Sequence, residues 1–145
     1  MCIRDRLRAA DWGRIVNVSA MSARSQGHGL IEYTAAKAAL TSITKNLSLE
    51  LASDGILVNT VSPGTFISEQ MVDYIATLPA EADVSAADPA SVMRYISQHF
   101  SVRADLSRAG MPAEIGPVIC FLASKRNTYT TGANINVDGG SAFFA

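Results

Sequence analysis

The chain has 145 residues, of which 48% are hydrophobic and 17% charged, with a formal net charge of −1. That composition excludes disorder and suits one packed domain, and the near balance of charge excludes the basic footprint of a nucleic-acid binder. The longest apolar run, Val118 to Ala123, is too short for a bilayer, and the arginine-bearing start has no apolar secretory segment, so a soluble cytoplasmic protein without membrane or nucleic-acid partner is expected.

Residues 1–12 open on Met1-Cys2-Ile3-Arg4-Asp5-Arg6, which has neither capping nor strand logic, and are read as a suspect or truncated start outside the fold. Gly13 to Ser19 predicts a strand, followed by a Gly/Ser-rich loop from Ser22 to Gly29. One long helix is expected from Ile31 to about Ser53. Its apolar positions Ala36, Leu40, Ile43, Leu47 and Leu51 recur at steps of three and four, the pattern of a single buried face. Asp54-Gly55 stops it. Ile56 to Val61 is a second strand, continuously apolar as in a parallel sheet covered on both faces, and Pro63-Gly64 ends it.

Residues 69–107 are polar and Ala-rich, with short helices expected near Glu69–Leu78 and Pro89–Phe100. Pro112 and Glu114 suit the first turn of another helix, running to about Ala123. Thr131-Gly132 turns into a last strand, Ala133 to Val137, ended by Asp138-Gly139-Gly140. Strands joined by helical crossovers give an α/β parallel sheet. Three strands are few and leave edges exposed, so residues 13–145 read as part of one domain. Cys2 and Cys120 have no metal-ligand spacing, so neither a metal site nor a disulfide is expected, and Cys120 reads as a small buried apolar residue.

Tyr33-Thr34-Ala35-Ala36-Lys37 sets a phenol and an ammonium one turn apart on the same helix, both beside the apolar stripe. A free phenol titrates near ~10, too high for ready proton exchange at neutral pH. A neighbouring cation favours the phenolate and makes Tyr a workable general acid/base. Taken alone, the pair reads as an ordinary helix with a snorkelling Lys.

Context changes that reading. The pair resembles the active-site motif of the short-chain dehydrogenase/reductase family, and the resemblance runs from Gly13 almost to the end of the chain. Gly13 to Ser19 is similar to the family strand leading into the catalytic loop. Val58-Asn59-Thr60-Val61-Ser62-Pro63-Gly64 is similar to the next strand and its cofactor-capping turn. Arg108-Ala109-Gly110-Met111-Pro112-Ala113-Glu114-Ile115 and Phe121-Leu122-Ala123-Ser124 resemble the penultimate helix region, and Thr131-Gly132 with Val137-Asp138-Gly139-Gly140 the final strand. Each motif is weak alone, but five in order are specific.

The resemblance implies the C-terminal half of a doubly wound, Rossmann-like parallel-sheet domain and an oxidoreductase using NAD or NADP. Tyr33 would exchange a proton with a carbonyl or alcohol substrate, and Lys37 would bind the nicotinamide ribose hydroxyls. Pro63, Gly64, the backbone around Phe66 and the hydroxyl of Ser68 would hold the carboxamide end. Residues 69–107 would form a substrate lid, and a homo-oligomer is expected of the full-length protein. His28 reads as a loop residue near the substrate mouth, and Trp12 and Phe143-Phe144 as packing or subunit-contact residues.

Two departures stand out. The family's carbonyl-polarising Ser lies thirteen residues before the Tyr, where this chain has Ala20. Losing one such donor costs ~10²–10³ in rate. Ser19 and Ser22 are the replacements at hand, Ser22 preferred because it shares the strand parity of Ala20. The phosphate-cradling glycine loop and the family's catalytic Asn would both lie upstream of Gly13, so the adenosine half-site is not in this sequence. These gaps keep open the alternative of a non-catalytic, dehydrogenase-like binding or scaffold subunit, or an inactive truncated fragment.

Overall fold

The computed structural model describes residues 3–10, 12–24 and 29–143. In chain order its elements are α1 (Ile3–Ala9), β1 (Gly13–Val18), α2 (Ile31–Leu51), β2 (Ile56–Pro63), α3 (Glu69–Ala76), α4 (Pro89–Phe100), β3 (Val102–Arg103), α5 (Pro112–Leu122), β4 (Asn134–Val137) and β5 (Ala142–Phe143). β1, β2 and β4 form a parallel sheet in that order, with Gly13 paired to Ile56 and Val18 to Val61, then Thr60 to Asn134 and Pro63 to Val137. β3 and β5 add a small antiparallel pair. The α/β parallel architecture is as the sequence predicts; α1 and the β3–β5 pair are additions.

Local punctuation explains the ends. α2 runs into a 3₁₀ turn, Ala52–Asp54, and Gly55 closes it at φ 70° with its N–H on the Ala52 carbonyl, a conformation that costs glycine little. Ser68 caps α3 by accepting from the Met71 N–H, and Asp88 caps α4 by accepting from the Ala90 N–H, with Pro89 next in line.

The face α2 turns to the sheet corrects the sequence expectation. Ala36 and Ile43 are exposed and Leu40 and Leu47 only half-buried; of the predicted stripe, Leu51 alone is fully buried. The buried positions are Thr34, Thr44, Ser48 and Leu51. Their hydroxyls bond back to the helix: Thr34 to the Ile31 carbonyl, Thr44 to that of Leu40, Ser48 to that of Lys45. A hydroxyl satisfied within its own helix can be buried without an orphaned polar group. The opposing strand residues match, since Asn17 donates to Thr44 Oγ1 at 2.8 Å. The interface is therefore apolar at one end, around Leu51, Ile56 and Val58, and polar where the strands end.

Leu7 of α1 packs against that apolar end and Arg8 pairs with Asp54 at 2.6 Å, so residues read as lying outside the fold contribute an element to it. A second core lies under residues 69–107, built on Val92, Met93 and Ile96 of α4 with Met21, Ile67 and Ala109. Cys120 is exposed, against the expectation of burial. α5 is apolar nearly all round, so its sequence could not tell which side meets the sheet; Leu122 is its one fully buried residue.

Candidate active site

Parallel pairing brings the ends of β1 and β2 out of the sheet at the same level, and the chain turns away from both there. Such a crevice beyond the carboxyl ends of parallel strands is where α/β folds bind ligands. Ser19, just past β1, donates its N–H to the Val61 carbonyl at 2.8 Å. Its hydroxyl donates to the Lys37 carbonyl at 2.9 Å and lies 3.2 Å from Thr41 Oγ1. Lys37 in turn donates from Nζ to the Val18 carbonyl at 2.9 Å. The backbone and the side chain of Lys37 are thus both tied to the end of β1. Tyr33 sits one turn earlier, 48% exposed, with the Lys37 ammonium 5.6 Å from its ring centroid.

Tyr33, Ser22, Pro63, Gly64, Phe66 and Ser68 all line one cavity of about 1090 Å³. The structure therefore brings these six predicted residues onto one cavity, while Lys37 is bonded to the end of β1 and does not line it. Ala20 lines it too, with no polar atom to offer. The two candidate serines separate cleanly. Ser19 has spent its hydroxyl on α2. Ser22 is 6% exposed, lines the cavity, and its Oγ is buried without a hydrogen-bond partner. An orphaned buried hydroxyl costs stability and marks where a ligand acceptor can be met. Strand parity, however, does not put it there: Met21–Ala23 is a 3₁₀ turn, not extended chain.

On the β2 side, the Gly64 N–H bonds the Val137 carbonyl at 3.0 Å, and a Cβ at Gly64 would lie 2.8 Å from Asp138 Cα. Only glycine lets the turn approach β4 that closely. Phe66 pairs with Gly110 in a parallel bridge, and its ring covers Gly110 so closely that a Cβ there would come within 2.7 Å. Ser68 Oγ receives the Met71 N–H at 3.3 Å, which leaves its own proton free to donate. Below this loop Arg108 holds Glu114 through two hydrogen bonds of 2.8 and 2.6 Å. With the Met111 N–H also donating to it at 2.7 Å, the Glu114 carboxyl is held down to about 2.

The far wall comes partly from residues 69–107, the segment expected as a substrate lid with no lining residue named, and partly from α5, which was given no such role. Met71 of α3, His99 and Phe100 at the end of α4, and Ile115 and Ile119 of α5 supply it. For His99 a signal existed in the sequence, because Tyr95 and His99 stand one helical turn apart; the rings stack at 4.0 Å. No Lys, Arg, Asp or Glu lines the cavity among the described residues. Of the remaining sequence candidates, His28 and Phe144 lie outside the described residues. Trp12 packs between Arg14 and Lys125, with the two cations 5.1 and 5.8 Å from its ring.

Comparison with known proteins adds the family. Residues 2–142 match a family model described as enoyl-(acyl carrier protein) reductase. The chain is 37% identical over 129 residues to a 3-oxoacyl-(acyl-carrier-protein) reductase, FabG, of Rickettsia conorii, covering 89% of this chain and 46% of that protein. A solved short chain dehydrogenase/reductase family protein matches with TM-score 0.72 at 30% identity, over 94% of this chain and 48% of that one. The chain belongs to the short-chain dehydrogenases/reductases. A second member, the structure described as ElxO with NADP bound, superposes with TM-score 0.76 at 26% identity over 94% of this chain and 49% of its own. The chain spans about half the length of the curated relatives it matches, and its fold is the matching half of their Rossmann-like sheet.

Within this family member the arrangement has definite chemical capacity. A phenol on the cavity wall can give or take a proton, and an unpartnered hydroxyl can donate to a developing oxyanion. The wall's lack of charge leaves little to compete with those two groups for a neutral carbonyl.

Proposed function

We propose that this chain carries the nicotinamide and substrate half-site of an NAD(P)-dependent oxidoreductase acting on a carbonyl or alcohol. The observation that carries the reading is that Tyr33 and the orphaned Ser22 hydroxyl line the same cavity, with Lys37, one turn on from Tyr33, anchored to the end of β1. The residues fit the nicotinamide end of a dinucleotide. Gly64 has no Cβ to fill the turn after β2, Ser68 keeps a proton for a carboxamide, and Pro63 and Phe66 supply apolar cover. Lys37, released from the Val18 carbonyl, would hold the ribose hydroxyls.

The bound dinucleotide would supply or accept the hydride. Tyr33 Oη delivers the proton to the substrate oxygen in reduction and removes it in oxidation. Ser22 Oγ–H donates to that oxygen as its charge develops, the task Ala20 cannot perform. The lid of residues 69–107 closes the far wall and limits water. A cytoplasmic, homo-oligomeric parent protein is part of the same reading. The NADP held by ElxO makes NADPH the first cofactor to try, and the Rickettsia relative's name makes a 3-oxoacyl thioester the first substrate.

The test is NADPH oxidation with such a thioester, comparing the full-length protein that contains this chain with its Tyr33→Phe variant. The expected fall in kcat is ~10²–10⁴-fold, with cofactor binding retained. Equal rates would sink the assignment. Ala20 favours a second reading, a dehydrogenase-like binding subunit without turnover, which predicts saturable NADPH binding and no reaction with any carbonyl offered.

A further inference from the structure

His99 lies in the last turn of α4 on the cavity wall, and two contacts fix its ring. It stacks on Tyr95 with centroids 4.0 Å apart and an interplanar angle of 21°, and its Nδ1 lies 2.9 Å from the Tyr95 carbonyl oxygen. A carbonyl can only accept, so Nδ1 carries the proton and donates. The neutral ring then has its lone pair on Nε2, the nitrogen turned away from the helix backbone. Tyr95 is itself held edge-on by Tyr74, which also meets Phe100 edge-on, with centroids 6.5 and 6.4 Å away. The rings join α3 to α4 and leave His99 and Phe100, the two outer members, on the cavity wall.

Thr65, Gln70 and Ser101 also present polar side chains to the cavity, but His99 is the lining residue whose ring is held on both its face and one nitrogen, so that its acceptor is preorganised. Ser22 and Tyr33 belong to the reacting carbonyl in the function proposed above, and Ser68 caps α3. Met21, Met71, Val102, Ile115 and Ile119 give much of the remaining wall an apolar surface. A ligand reaching from Tyr33 to the lid therefore meets a carbonyl-binding end, an apolar stretch, and then a preorganised hydrogen-bond acceptor.

We propose that His99 Nε2 is a specificity-determining acceptor, selecting carbonyl substrates that carry a hydroxyl or amide N–H beyond an apolar segment. The proposal rests on the cavity being the substrate site, and its test reads binding rather than turnover. The probes are ω-hydroxy-2-alkanones of increasing length, each paired with the 2-alkanone of equal heavy-atom count. Binding is followed on the full chain with ¹⁵N-labelled histidine, through ligand titration and the His99 Nε2 resonance.

At the length that spans the cavity, the hydroxyketone should bind about fivefold more tightly than its partner, the worth of one hydrogen bond, and should move the Nε2 resonance. His99→Phe keeps a ring to stack on Tyr95 but removes the acceptor, and should erase the preference. His99→Gln restores an acceptor oxygen and should recover part of it. A preference that survives His99→Phe, equal affinities throughout the series, or no saturable binding by any probe would each overturn the proposal. If the preference holds while Tyr33→Phe leaves turnover unchanged, the hydride-transfer reading fails and the acceptor role of His99 stands.

Discussion

The two walls of the cavity are built by different physics. The wall holding Tyr33 is backed by Ser19 and Lys37, whose hydrogen bonds tie the end of β1 to α2. The wall formed by α3 and α4 is held by apolar packing around Val92, Met93 and Ile96 and by stacked rings. Directional bonds suit a wall that must place a proton donor to within a fraction of an ångström. Packing tolerates substitution provided volume is conserved, which suits a wall that sets substrate shape. The difference predicts that damage to the first wall is read in rate, and damage to the second in stability and KM.

Ser22→Ala tests the first half of that contrast with the largest effect of the set. If the orphaned hydroxyl meets the developing oxyanion, kcat falls ~10²–10³-fold. Because Ser22 Oγ has no partner in the protein, urea unfolding should show no loss of stability, since deleting an unsatisfied buried group removes a penalty. A variant that is less stable but equally active would reverse the roles given to the two serines.

Met93→Ala breaks the other wall. Met93 is 2% exposed in the core beneath the lid, and truncating such a side chain costs ~2–5 kcal/mol by lost transfer energy and the void left behind. Unfolding by urea measures the loss, and steady-state kinetics should show KM rising more than kcat falls. A kcat loss as large as that of Ser22→Ala would mean that the lid also places the reacting groups.

Ser19→Ala has a smaller effect of a different kind. It removes the bond to the Lys37 carbonyl, worth ~0.5–1.5 kcal/mol, while Lys37 keeps its link to Val18. Stability should fall by that amount and kcat by less than for Ser22→Ala. The measurement pairs an unfolding curve with the NADPH assay.

What the sequence disclosed follows the same division. The extent of α2, β2 and α4 was legible because Gly55, Pro63-Gly64 and Pro89 punctuate the chain. The candidate site was picked out by the family resemblance that Tyr33, Lys37 and Pro63-Gly64 carry, since the spacing of Tyr33 and Lys37 alone reads as an ordinary helix. The sheet-facing side of α2 was not, because hydrophobic periodicity cannot see a threonine that satisfies its own hydroxyl within the helix, as Thr44 does. The lid core escaped for another reason. Val92, Met93 and Ile96 find their partners in Met21, Ile67 and Ala109, residues brought close only by the finished fold. Ser22 was found by a parity argument that the 3₁₀ turn does not obey.

The Arg108–Glu114 ion pair gives the smallest effect and the sharpest dependence on conditions. Glu114 titrates at about 2 in the fold, against about 4.3 for an unperturbed Glu. The depression arises first from the Arg108 hydrogen bonds and then from the Met111 N–H. A carboxyl whose folded value is depressed stabilises the fold at every pH above its unfolded value. That contribution drains away as pH falls from about 4.3 towards about 2. Glu114→Gln should therefore be slightly less stable than the parent at pH 7. The gap is small because the exposed pair is screened by solvent, and it should narrow through that acid window as the carboxyl takes up its proton. Urea midpoints at pH 7, 4 and 2.5 follow the change, with high salt shrinking the pH 7 gap. Because Arg108 and Glu114 join the segment after the lid to the first turn of α5, the same variant should leave the Tyr33-dependent rate at neutral pH almost unaltered. A parent and a variant whose stabilities run parallel down to pH 2.5 would show that the pair does not form in solution.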